Sequence, residues 1–84
     1  MNITQIVLRK RFTEGPLKAI FSVTFDGELV LHDVKLVENR DKRLIVMPNR
    51  KDQNGRYVDI AHPINSAFRE ALEKHIFEFF DGTD

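Results

Sequence analysis

Residues 44–65 read LIVMPNRKDQNGRYVDIAHPIN. The apolar run Leu44 to Met47 stops at Pro48, which has no N–H to donate to a strand ladder. A basic, polar loop from Asn49 to Arg56 follows, and its Asn54-Gly55 pair suits a type I′ turn, because both residue types tolerate positive φ. Tyr57 to Ala61 supplies a return strand, and Asp59-Ile60-Ala61-His62-Pro63 leads into the last element. This stretch predicts a long hairpin with arms Leu44–Met47 and Tyr57–Ala61 and a tip that carries Arg50, Lys51 and Arg56.

Working upstream, Glu38 to Arg43 is a connection charged at every position but Asn39. Leu29 to Val37 is apolar on both sides of a two-residue period, Leu29, Leu31 and Val37 against Val30, Val34 and Leu36, which predicts a central strand or one covered twice. Asp26-Gly27 before it is a hairpin signal. Lys18 to Phe25 places Ala19, Phe21, Val23 and Phe25 on one face and Lys18, Ile20, Ser22 and Thr24 on the other. Glu14-Gly15-Pro16 is turn chemistry. Ile3 to Phe12 then pairs as the outer strand, with Ile6 and Leu8 on one side and Val7, Arg9 and Arg11 on the other.

Downstream, Asn65 or Ser66 can cap a helix by accepting from the free N–H groups of its first turn. Phe68, Leu72, Ile76 and Phe79 or Phe80 recur at helical spacing, with Ala67 and Ala71 beside them. Glu70 and Lys74 form an i,i+4 pair on the outside, and Gly82 ends the helix. Phe77 falls away from the stripe, among Glu70, Glu73 and Lys74, where it is exposed or part of a subunit contact. Five strands followed by one helix predict an α+β domain spanning residues 1–84: an antiparallel twisted sheet with the helix packed on one face.

A chain of 84 residues with 0 cysteines has room for one modest core and no covalent staple, so dimerisation through the remaining apolar surface or an open sheet edge is expected. The N-terminus, MNITQIVLRKRF, has neither the apolar centre of a signal peptide nor the length of a membrane span, and a cytoplasmic protein is expected. Thirteen basic and thirteen acidic residues cancel. Their distribution is uneven: residues 1–56 hold 11 Lys and Arg against 7 Asp and Glu, and residues 57–84 hold 2 against 6.

Two His-carboxylate pairs, His32-Asp33 and Asp59 with His62, have the composition of a base or a metal site. No cysteine nucleophile, strained serine elbow, HExxH or glycine-rich phosphate loop accompanies them. A structural role near the helix start, satisfying backbone donors, accounts for Asp59 and His62, and His75 is a boundary residue. No enzyme, metal, cofactor or small-molecule substrate is expected. Arg50, Lys51 and Arg56 flank a projecting turn where they can meet phosphates, with Arg9, Lys10, Arg11 and Lys18 on a neighbouring hairpin. The alternative reading, which composition alone slightly favours, is that these are only solubilising loop charges.

Met47-Pro48-Asn49-Arg50-Lys51 and Gly55-Arg56-Tyr57-Val58-Asp59-Ile60-Ala61-His62-Pro63-Ile64-Asn65 resemble the signature of the stage V sporulation protein G (SpoVG, septation regulator) family. Ile6, Leu8, Arg9, Lys10, Lys18-Ala19, His32-Asp33 and Arg69 extend the likeness over nearly the whole chain. The resemblance implies a dimeric bacterial cytoplasmic regulator that binds DNA and RNA, influences septation, sporulation or gene expression, and has no enzymatic activity. It assigns nucleic-acid contact to Arg50 and Lys51, with Arg56 as an addition; in the expected mode of binding Arg9 and Lys10 support them. Val7 stands where relatives often carry a base, and the sequence ends where many relatives continue into an acidic tail, a difference expected to leave the basic surface uncontested. The alternative expectation is a protein–protein interaction module of the division machinery, contacting partners through an edge strand, Phe77 and the acidic helix face.

Overall fold

Alternation in Leu17–Phe25 (β2) puts Ala19, Phe21, Val23 and Phe25 on one face, and all four are buried, as their spacing predicts. β2 is therefore the spine of the fold. The computed structural model of the chain describes residues 1–83. β2 pairs antiparallel with β1 (Ile3–Arg11) on one side and with β3 (Leu29–Asn39) on the other. β3 pairs in turn with β4 (Lys42–Val46), which gives a four-stranded sheet of order β1-β2-β3-β4. β5 (Asn49–Lys51) and β6 (Tyr57–Asp59) form a separate two-stranded ribbon. The helix α1 (Ser66–Asp81) lies on the β2 core face, so the α+β architecture stands as read.

Six strands in two sheets replace the single five-stranded sheet. The reason lies at Met47-Pro48: Pro48 interrupts the ladder, so β4 pairs only with β3 while the return strand pairs with β5. The predicted hairpin between Leu44–Met47 and Tyr57–Ala61 therefore does not form. The charged stretch 38–43 is itself a hairpin, with Asn39 opposite Lys42 across a two-residue turn at Arg40 and Asp41.

The apparent double-sided apolarity of β3 has a local cause. Between the pairs Phe21–Val34 and Val23–Leu31 the strand holds one extra residue, a β-bulge at His32-Asp33 with Asp33 at φ 61°. The bulge shifts the side-chain phase, so Leu31 before it and Val34 and Leu36 after it all join the same core, and Val30 and Val37 face the other way. β3 is consequently covered on one face. A similar irregularity between Leu8 and Lys10 moves Arg11 opposite Ala19 and onto the helix side, correcting its expected place beside Val7. Ile6 and Leu8 pack against the core as read.

Asp26 (φ 54°) and Gly27 (φ 67°) both take positive φ, and Glu28 N–H donates to the Phe25 carbonyl, 2.9 Å: the Asp-Gly pair makes the type I′ turn that its chemistry favours. Asn65 caps α1, its Oδ1 accepting from the Phe68 N–H at 2.7 Å. Phe68, Leu72, Ile76, Phe79 and Phe80 face the sheet. Phe21 meets Phe79 and Phe80 edge-on, with centroids 6.2 and 6.3 Å apart, and Phe25 packs on Phe68 at 5.7 Å. Ala67 and Ala71 are exposed, outside the stripe. Phe77 is half-buried, and the guanidinium of Arg43 lies 4.7 Å from its centroid. That contact answers why a Phe departs from the stripe.

Candidate nucleic-acid interface

The ribbon begins where β4 ends. Asn49 Nδ2 donates to the Met47 carbonyl (3.1 Å) and Ile60 N–H donates to the Pro48 carbonyl (2.7 Å), which fixes the root. Asn49 stands opposite Asp59, Arg50 opposite Val58 and Lys51 opposite Tyr57. At the tip, Asp52 N–H donates to the Arg56 carbonyl (2.7 Å) and Gly55 N–H to the Asp52 carbonyl (3.1 Å), with Gly55 at φ 81°. This is a three-residue loop with glycine in the left-handed position. Asn54 is absent from the positive-φ residues, so the expected type I′ turn at Asn54-Gly55 is not the one used. The side chain of Asp52 explains the preference: its Oδ1 accepts from the N–H groups of both Asn54 (2.8 Å) and Arg56 (2.9 Å), an arrangement that holds the loop closed.

Electrostatically the tip is one-sided. The Asp52 carboxylate is engaged by backbone donors, whereas Arg50, Lys51 and Arg56 are exposed and make no ion pair among the described residues. Arg50 and Lys51 are successive residues of one strand, so they project from opposite faces of the ribbon and do not act as a single clamp. One face carries Arg50 and Val58; the other carries Lys51, Tyr57, Asn49 and Asp59.

Arg9 and Lys10 are exposed near the end of β1, where Lys10 pairs with Ile20. The ribbon follows β4, the opposite edge strand of the sheet, with β2 and β3 between it and β1; its root lies by a groove that Met47 lines with Phe25, Leu29 and the start of α1. Within one chain the fold therefore does not join Arg9 and Lys10 to Arg50, Lys51 and Arg56. Lys10 lies over the Phe12 ring, 5.1 Å from its centroid. Arg11 is committed elsewhere: its guanidinium sits 4.8 Å from the Phe80 centroid and donates to the Thr83 carbonyl (3.2 Å) and to Thr83 Oγ1.

The His-carboxylate pairs do not assemble. His32 Nδ1 shares a 2.8 Å hydrogen bond with the buried Ser22 Oγ and makes none with Asp33. His62 Nδ1 donates to the Pro63 carbonyl at 3.2 Å, and Asp59 makes no side-chain hydrogen bond among the described residues, so neither satisfies the backbone donors of the helix start; Asn65 does. His75 Nδ1 donates to the Ala71 carbonyl, 2.7 Å. Among the described residues no group of three or more His, Cys, Asp or Glu is placed to hold a metal ion, and no helix is long and apolar enough to cross a membrane.

Sequence reading passed over Tyr57, Val58, Ile60 and Ile64 as surface residues; they are 74%, 49%, 66% and 90% exposed. The only signal was a run of large apolar side chains on a strand too short to bury both faces. Beside Ile64 lies an apolar groove of about 370 Å³, walled by Phe25, Leu31, Met47, Pro63 and Phe68.

This two-sheet α+β unit with a basic ribbon and one helix has relatives. The family model described as SpoVG matches residues 1–82, and the chain belongs to the SpoVG family. Among its relatives is a Clostridium perfringens protein, named "Putative septation protein SpoVG", 46% identical over 96% of this chain and 90% of its own length. The Clostridium acetobutylicum protein of that name is 47% identical over 96% and 85%, and that of Caldanaerobacter subterraneus subsp. tengcongensis is 48% identical over 96% and 89%.

Proposed function

We propose that this chain is a dimeric, non-enzymatic nucleic-acid-binding regulator with a role in septation or sporulation, as the names of its relatives suggest. Arg50, Lys51 and Arg56 contact the backbone of DNA or RNA, and Arg9 and Lys10 of the assembled dimer add charge at a distance. The observation that carries this reading is the tip: three exposed cations stand on a ribbon held off the main sheet, and the one adjacent carboxylate, Asp52, is occupied by its own backbone. Phosphate contact made this way is largely independent of sequence and strongly salt-dependent. Dimerisation is supported by Val58, Ile60 and Ile64, exposed apolar side chains, the last of which lines the groove with Phe25 and Phe68.

Titrating a labelled DNA duplex and an RNA strand with the wild type and with an Arg50→Ala/Lys51→Ala variant, at rising salt, tests the reading. The variant should bind more weakly, and its slope of log affinity against log salt should fall by nearly one per lost phosphate contact. A folded variant with unchanged affinity and slope would sink the role of both residues.

The second reading, a protein-interaction module, gains from the same exposed apolar strip and loses its first surface, since Phe77 is capped by Arg43. Recovery of a protein partner that is lost on substitution of Ile60, with no nucleic-acid binding at low salt, would favour it.

A further inference from the structure

We propose that Tyr57 is a base-stacking residue, and that the ribbon face it shares with Lys51 takes single-stranded nucleic acid in preference to duplex. The proposal rests on the nucleic-acid reading above and adds the form of the ligand to it.

Tyr57 and Lys51 are directly opposed across β5 and β6, so their side chains leave from the same face. The ring is 74% exposed and makes no hydrogen bond, ring–ring or cation–ring contact among the described residues. It is thus an unoccupied aromatic surface held on a strand. Its neighbours are cationic: Arg56 precedes it in the chain, and the Lys51 stem crosses the turn, with its Cε 3.7 Å from where a Cβ on Gly55 would stand. Opposed residues of such a pair hold their Cβ atoms about 5 Å apart, close enough for one nucleotide to lay its base on the ring while its phosphate meets the ammonium group. Asp59 lies on this face one pair beyond Lys51, near the root. Its carboxylate repels phosphate and confines the strand to the tip.

Stacking needs an open base face, which a single strand offers and a paired, internally stacked duplex does not. Arg50 is on the opposite face with Val58, so its charge serves both forms alike. The two ribbon faces therefore separate the contributions: loss of Arg50 should weaken both ligands, and loss of Tyr57 only one.

The chain contains 1 Tyr and 0 Trp, so its tyrosine emission reports on this ring alone. The experiment titrates the full chain with a mixed-sequence DNA strand of about 16 nucleotides, and separately with its duplex, following tyrosine emission and the anisotropy of a labelled probe. Quenching by the single strand is expected, with little change on duplex binding. Tyr57→Ala should weaken single-strand binding about tenfold, leave duplex binding within about twofold, and leave the sedimentation coefficient unchanged. Tyr57→Phe, which keeps the stacking face, should bind like wild type. Stacking is overturned by single-strand binding without quenching, by unaltered single-strand affinity in Tyr57→Ala, by equal losses on both probes, or by a changed oligomeric state, which would place Tyr57 in a protomer contact. Wild type that binds neither probe would remove the underlying nucleic-acid reading instead.

Discussion

Arg43, on the outer strand β4, forms a two-point ion pair with Asp81 in the last turn of α1: Nη2 to Oδ1 at 2.8 Å and Nη1 to Oδ2 at 3.1 Å. The same guanidinium lies 4.7 Å from the Phe77 centroid and 5.9 Å from that of Phe80. From the opposite sheet edge Arg11 covers Phe80 as well, so the end of the helix is held to both outer strands. Arg43→Ala should cost about 1–2 kcal/mol, mostly from the lost cover over the two rings, because an exposed ion pair alone contributes little. Arg43→Lys keeps the charge but lacks the planar fork, and should recover only part of this. Urea unfolding of the three proteins checks the order.

The Asp81 carboxyl is held below the usual carboxylate range, chiefly by the hydrogen bond from Arg43, with the Arg43 charge adding to it and desolvation opposing it. The folded chain thus binds this proton less readily than the unfolded chain does. The resulting stability is fully present above the ordinary carboxylate value of about 4 and is lost as pH falls through the lowered folded value. Asp81→Asn should be less stable than wild type at neutral pH and approach it in acid, as read by the urea midpoint at each pH. High salt should narrow the neutral-pH gap.

The cap makes a local prediction. Asn65 Oδ1 satisfies the Phe68 N–H (2.7 Å), whereas Ser66 is the first residue of the helix itself. Asn65→Ala should destabilise by about 1 kcal/mol and Ser66→Ala by much less. Thermal unfolding should lower the midpoint by about 4–8 °C for Asn65→Ala. Equal effects at both positions would contradict the assignment of the cap.

If Val58 and Ile60 meet a second copy, Val58→Glu/Ile60→Glu should shift the protein toward monomer in sedimentation velocity while its circular dichroism stays folded, since both side chains are already in solvent in the single chain.

A reading from residues alone reached the helix, its cap at Asn65 or Ser66, the Asp26-Gly27 turn and the inward face of β2. Each rests on short-range chemistry: a side chain that bonds its own backbone, a residue pair that tolerates positive φ, or an uninterrupted period of two or 3.6 residues. The same reading placed Arg11 on the wrong face, made β3 two-sided and joined β4 to the return strand. The first two share a cause, because one extra residue in a strand turns every later side chain over, and no local pattern marks where that residue falls; the third comes from Pro48, which ends the ladder of β4. Phe77 looked stray for a related reason; its cover comes from Arg43, 34 positions earlier in the chain.

The candidate interface divides along the same line. That 44–65 is a basic, turn-centred stretch between apolar arms follows from composition, and its family signature is written in consecutive residues. Tertiary structure alone decided that the stretch stands apart as its own ribbon, that Arg50 and Lys51 look in opposite directions, that Tyr57 shares the face of Lys51, and that Arg9 and Lys10 lie on the opposite edge strand of the sheet. Charge and propensity are properties of residues, whereas facing is a property of pairing, and pairing is chosen by which distant strand offers unspent hydrogen bonds.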